Sequence, residues 1–266
     1  MPRHPRNAPG ARAGERSGGA RFRDPERLLG IVAHDLRTPL AAIRMSAALL
    51  VRDGGLTPEQ ARTVARMNAS AARMARIVRD VLDFTRVRQE GRLPMSLRAV
   101  DLGRLARRAV AEISAAHPDR DVHLDAPASA PVLGDPDRLL QVLGNLLANA
   151  VQHGPPEAPV RVSVRAEAAQ VALEVHNEGP PVPPDVRSEL FEPFRRGQAG
   201  GEDGSLGLGL FIVREIVRAH GGAVEVRSAS REGTTFTVRL SPACARRRAG
   251  PSGASSPDLE SGPAEG

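Results

Sequence analysis

The chain has 266 residues, room for one or two domains of about 100–150 residues each, and with six Phe but no Trp or Tyr its core must be aliphatic. The net charge of +6 is mostly a tail: six Arg against Glu15 put +5 into residues 1–23, residues 243–266 are neutral, and the interior keeps +1, which argues against nucleic acid as a partner of the fold. Cys244 alone cannot form an intramolecular disulfide, no apolar run approaches the roughly 18 residues of a membrane span, and no secretory leader is apparent, so a soluble, cytoplasmic protein is expected.

Residues 1–23 are Pro, Gly, Ala and Arg with little to bury, and are expected to be disordered. Asp24-Pro25-Glu26 opens a helix, with a capping Asp and Pro at the first helical position. Leu28, Val32, Leu36, Leu40, Ile43, Ala47 and Leu50 then recur at helical spacing until Asp53-Gly54-Gly55. Within this helix, His34 and Thr38 lie one turn apart on one face, and Asp35 adjoins the imidazole. An imidazole beside a carboxylate suits a nucleophile, one nitrogen attacking while the other stays protonated. The same residues also fit a surface histidine on an ordinary amphipathic helix. Pro39 removes a backbone bond and suggests a bend just after the histidine.

Thr57-Pro58-Glu59-Gln60 restarts a helix through a capping box. Val64, Met67, Ala71, Met74, Val78 and Val81 form a heptad seam along it. Two helices joined by a short turn cannot bury both apolar faces, so pairing with a second copy into a four-helix bundle is expected. A bare dimerisation module would look the same. After a connector at 89–94 the pattern becomes mixed. Strands are expected at 95–100, 122–125, 131–133, 160–167, 171–177, 223–229 and 234–240. Helices are expected from the Asp101 cap to 116, then at 136–153, 184–192 and 207–220. That alternation predicts a layered α/β sandwich over 95–242, followed by a polar, disordered 243–266.

In helix 136–153, Asn145 and Asn149 stand one turn apart among leucines. Buried carboxamides need partners, and an amide oxygen is a fitting ligand for magnesium; capping or solvent-facing Asn is the plainer alternative. Gly204-Ser205-Leu206-Gly207-Leu208-Gly209 precedes another helix, where glycines would let phosphates approach backbone N–H groups, although a mobile turn reads the same way.

Residues 34–40, His-Asp-Leu-Arg-Thr-Pro-Leu, resemble the H-box of two-component sensor histidine kinases. The 145–149 run resembles that family's N-box, 190–197 its F-box, 204–210 its G2 box and 232–236 its last glycine-threonine motif, all in family order. The resemblance implies a dimerisation and phosphoacceptor hairpin over 24–88, a dimeric four-helix bundle, and a Bergerat-type ATP-binding domain over 95–242. It implies His34 as phosphoacceptor, Asp35 as its acid/base partner, and Thr38 as the residue that positions water for phosphatase action. It also implies Mg²⁺ on Asn149, with Asn145, His153, Asn177, Gly179, Gly207, Gly209 and Thr235 about ATP and a flexible lid at 197–206.

The implied partners are a second copy and a response regulator in trans; a separate sensor protein could supply the input. The G1 motif departs from the family's Asp-x-Gly-x-Gly, reading Asn177-Glu178-Gly179-Pro180-Pro181. Asn177 keeps an oxygen acceptor for the adenine amine and an NH₂ that could donate to a ring nitrogen, but it loses charge assistance worth about 1 kcal/mol. A kinase-weak phosphatase or a pseudokinase scaffold is the alternative. A chaperone- or repair-type ATPase is disfavoured, because Asn145 stands where those enzymes place a catalytic Glu.

Overall fold

The computed structural model describes residues 25–195 and 206–243; the side chains of 25–34 and of Arg37 also lie outside the description. The expectations for both tails, for Asp24 as a cap and for the lid at 197–206 fall outside those residues, save Leu206 and Ala243 at their edges.

Helix α1 spans Pro25–Asp53 and α2 spans Pro58–Glu90. Pro39 lies inside α1, which continues past it, and its ring denies the Asp35 carbonyl the usual N–H partner. Gly54 and Gly55 both take positive φ (74° and 75°), where a side chain would be strained, and turn the chain. Thr57 then caps α2 through the expected box: its hydroxyl accepts from Gln60 N–H, and the Gln60 side chain accepts from Thr57 N–H. α2 runs through Glu90, two residues past the expected end, because Gly91 in the left-handed region supplies the stop.

The α2 seam faces inward except at its two methionines, with Val81 half-buried against the α/β core. Val64, Ala71 and Val78 are buried, and Leu40 packs with Ala71, Val78 and Leu82. Met67 and Met74 are exposed, as are Leu36, Ile43, Leu49 and Leu50 on α1. A single hairpin therefore leaves several of its described apolar residues in water.

The α/β part begins with β1 (Arg98–Asp101), paired antiparallel to β3 (Pro131–Gly134). Helix α3 (Leu102–Ala116) is capped by Asp101, whose carboxylate accepts from Arg104 N–H at 2.8 Å. A five-stranded sheet holds β2 (Val122–Asp125), β4 (Val160–Ala166), β5 (Val171–Asn177), β7 (Gly233–Leu240) and β6 (Ala223–Ala229) in that spatial order. The β2–β4 pair is parallel and the others are antiparallel. Helices α4 (Pro136–His153) and α6 (Gly209–Ala219) join α3 in the helical layer of a two-layer sandwich. Alternation explains the packing. Val160, Val162 and Val164 of β4, Leu173 and Val175 of β5, and Phe236 and Val238 of β7 join Leu143, Leu146 and Leu147 of α4 and Ile212 and Ile216 of α6 in one core.

The expected helix at 184–192 shortens to α5 (Pro184–Arg187). Beyond it, Glu189 N–H bonds back to Val186 O and Glu192 N–H to Glu189 O, three-residue turns rather than continued helix.

Asp135 fixes the entry to α4. Its carboxylate accepts from Asp137 and Arg138 N–H at 3.1 and 3.2 Å and from Ser96 N–H at 2.9 Å, while its own N–H donates to His220 Nε2 at 3.0 Å. Burial would raise this carboxyl, but the three N–H donors and the nearby Arg138 outweigh it and hold it below the usual carboxylate range. Its stabilising contribution is thus present above the unfolded carboxylate value and is lost as pH falls through the lowered folded value. Asp135→Ala is expected to cost about 1–2 kcal/mol in urea unfolding at neutral pH, with the gap to wild type narrowing below about pH 4.

Candidate functional site

The end of the sheet at which β5 finishes gathers most of the residues singled out by sequence. Asn177, the last residue of β5, is buried and lies opposite Thr234 of β7. Its Nδ2 donates to Glu178 O at 2.9 Å. That occupies one amide hydrogen and, with the amide so assigned, leaves Oδ1 as the acceptor free of that bond.

Gly179 follows at φ 138°, and a Cβ there would stand 3.0 Å from His153 O. Glycine is therefore required both by backbone angle and by the approach of the end of α4. Pro180 and Pro181 are exposed, and the next backbone N–H, that of Val182, donates to Ser228 Oγ at 2.9 Å. Pro181 thus sits in a solvent-facing bend that is anchored one residue later.

On α4, Asn145 donates from Nδ2 to Gly209 O at 3.1 Å, tying the middle of that helix to the first turn of α6. Asn149 is half-buried one turn on, and His153 lies exposed in the last turn. Gly207 has φ 67°, and a Cβ there would come within 2.5 Å of Arg195 O. Phe194 N–H donates to Gly207 O at 3.1 Å, with Phe194 itself at φ 62°. The chain thus crosses itself just before α6, at a point where only glycine fits.

Thr235 is the residue not brought into this group. It shares a sheet face with Glu174 and His176, turned away from the helices, and its hydroxyl is 2.9 Å from His176 Nδ1. Thr234 is on the helix-facing side with Asn177 and Phe236; it is buried, and its hydroxyl is 2.8 Å from Ser228 Oγ. Counting back by twos from Phe236 would have selected Thr234 from sequence.

Asp35 and Thr38 are exposed on α1, and the side chain of His34 lies outside the description. Leu40 packs near Ala71, Ala75 and Val78 of the antiparallel α2. Six residues earlier, about 9 Å along the axis, the His34 backbone falls opposite the α2 stretch 77–82. That is where α2 meets the α/β part: Phe84 packs edge-on against Phe211 of α6 and Phe194, with centroids 5.7 and 5.0 Å apart.

A helical hairpin joined to a two-layer α/β ATPase-like domain defines the class, and the comparisons agree with it. Residues 26–90 match the His kinase A (phospho-acceptor) domain. Residues 134–243 match the histidine kinase-, DNA gyrase B- and HSP90-like ATPase. The chain belongs to the two-component sensor histidine kinase family.

Among its relatives, a probable sensor histidine kinase TcrY of Mycobacterium tuberculosis is 41% identical over 211 residues, 78% of this chain and 44% of that protein. A bacteriophytochrome of Pseudomonas aeruginosa is 35% identical over 217 residues, 81% of this chain and 29% of that protein. The crystal structure of full-length ShkA in complex with AMPPNP superposes with a TM-score of 0.61 at 31% identity, covering 83% of this chain and 47% of ShkA. The chain spans less than half the length of these curated relatives. No helix among the described residues is long and apolar enough to cross a membrane.

Glycine is most constrained at 233, where φ is 74° and a Cβ would lie 2.2 Å from Asn177 O. Gly233→Ala is expected to displace Asn177 and to lower the thermal midpoint by several degrees, read by calorimetry.

Proposed function

We propose that the chain is a protein-histidine kinase core that works as a homodimer, phosphorylates His34 from Mg-ATP and passes the phosphoryl group to an aspartate of a separate response regulator. The carrying observation is that α2, at the level of His34, abuts the same domain that gathers Asn145, Asn149, Asn177, Gly179, Gly207 and Gly209 at its open end. Thr234 joins that group in place of Thr235. The exposed Leu36, Ile43, Met67 and Met74 support dimerisation, since a second hairpin would remove them from water. So does the groove of about 260 Å³ that Ile43, Ala47, Leu50, Val64 and Met67 help to line.

In the proposed step a ring nitrogen of His34 forms a bond to the γ-phosphorus as the bond to the β,γ-bridging oxygen breaks, and ADP leaves. Asp35, the next residue, orients the ring and takes the proton from its other nitrogen. The Asn177 oxygen receives the adenine amine. The glycines at 207 and 209 keep side chains away from the phosphates where α6 begins.

The donor set suits magnesium. Asn149 offers a hard amide oxygen, and no cluster of three or more His, Cys, Asp or Glu able to hold a metal occurs among the described residues, so phosphate oxygens and water would complete the shell. Held by Asn149, such an ion would offset charge on the transferring phosphoryl group.

Incubation with Mg²⁺ and γ-labelled ATP is expected to give acid-labile, alkali-stable label on wild type and none on His34→Gln; an unlabelled wild type at saturating ATP would overturn the kinase reading. Asn177→Asp restores the charge missing from the base contact and is expected to tighten ATP about five- to tenfold by calorimetric titration. The uncharged Asn177 favours a second reading, a core that is mainly a phosphatase through Thr38 or a pseudokinase scaffold for a response regulator. Under that reading Thr38→Ala slows dephosphorylation of a phosphorylated regulator while ATP labelling stays negligible in both proteins.

A further inference from the structure

The contact between α2 and the α/β domain contains a charged cluster that takes no part in the nucleotide site. Asp83, whose side chain is 2% exposed, accepts from Arg138 Nη1 at 2.6 Å and from Gln141 Nε2 at 2.9 Å. Gln141 Nε2 also lies 3.4 Å from Asp80 Oδ1, and its Oε1 accepts from Arg138 Nη1 at 2.9 Å. Asp80 and Asp83 are three residues apart on α2, so both carboxylates face α4, and both are buried. α4 meets these two anions with one guanidinium and one neutral amide. That guanidinium is committed to Asp83, so among the described residues Asp80 keeps a long amide contact in a buried position.

We propose that this cluster is a proton-operated latch between the helical hairpin and the α/β domain, closed when Asp80 is protonated and loosened when it is ionised. The sensing element is then part of the catalytic core itself, and the stimulus is proton concentration. Burial, first, and the neighbouring Asp83 push the Asp80 carboxyl up to about 6, against the Gln141 contact and the Arg79 and Arg76 guanidiniums on its own helix.

The sign follows from that rise. The docked state holds the proton more tightly than an opened state in which water reaches Asp80. Docking is therefore favoured as pH falls through about 6 and loses that preference as pH rises above it. A shift of about two pH units corresponds to a change on the order of a hundredfold in the docked-to-open ratio, complete only below about pH 4, where the opened state also holds the proton; about thirtyfold of it is present at pH 4.5.

The aromatic contacts say what the latch restrains. Phe84, one residue beyond Asp83, packs on Phe211 in the first turns of α6 and on Phe194, which is bonded to Gly207. Opening at Asp80 and Asp83 would free the elements that carry the glycine motif to move relative to the level of His34. The latch stands or falls independently of kinase activity, because its test reads only a distance.

The test is pulsed electron-electron resonance on the full chain carrying Cys244→Ser, with spin labels at Arg62→Cys on α2 and Arg227→Cys on β6, both exposed, diluted with excess unlabelled protein. Wild type is expected to give one narrow distance at pH 4.5 and a broad distribution at pH 8. Asp80→Asn, permanently neutral, is expected to stay narrow at both, and Phe84→Ala to be broad at both. Superimposable wild-type distributions at pH 4.5 and 8 would overturn the latch, and that comparison needs no substitution within the cluster. A pH response retained in Asp80→Asn would overturn it too, because all seven histidines are unchanged there and would then own the response.

Discussion

The Asp135 carboxylate is the constraint on which the α/β domain depends. It satisfies two of the N–H groups that α4 leaves open at its start, and it holds Ser96, where the chain arrives from the hairpin. Its own N–H reaches the imidazole that follows α6, and that ring in turn lies 2.8 Å from Ile216 O through Nδ1. One residue thus joins the connector, the start of α4 and the end of α6. With those points fixed, the leucines of α4 enter the core in a single register, and Asn145 comes to Gly209 at the opposite end of α6.

From that frame the site needs few side chains and several close backbone approaches. Gly179, Gly207 and Gly233 each stand where a Cβ would press on backbone within about 3 Å, and each has positive φ. These crossings keep β5, β7, α4 and α6 converging without filling the space a nucleotide would take. The Asn145–Gly209 bond serves the same end from the helical layer. The divergent motif at 177–181 fits this geometry. The Asn177 amide is oriented by Glu178 O, and the two prolines lie in an exposed bend.

The hairpin and the α/β domain solve their packing problems differently. The domain encloses one aliphatic core with Phe236 and Leu139, Leu143, Leu146 and Leu147 of α4 fully buried, whereas the hairpin leaves Met67, Met74, Ile43 and Leu36 in water. The two parts meet through three phenylalanines and a charged cluster in which α4 supplies fewer cations than α2 supplies anions. Apolar contact holds such a junction at any pH, while the polar part answers to protonation. A junction of that kind can be reset without unfolding either part.

The sequence by itself determined the hairpin, the capping box at Thr57, the helix over 136–153 and the positions of the glycine motifs. Those features depend on periodicity, caps and turn chemistry within a few residues. It also held the parity that separates Thr234 from Thr235, readable by counting from Phe236, although the repeated threonine hides it. Local pattern could not show that the helix after Pro184 ends at Arg187, since the turns that replace it are set by the neighbouring sheet and α6. Nor could it show that Asp80 and Asp83, two ordinary helical carboxylates, are buried against Gln141 and Arg138 some sixty residues away. Tertiary structure alone decided that, because a carboxyl's environment is fixed by what packs against it, and contacts between distant segments leave no local trace in the chain.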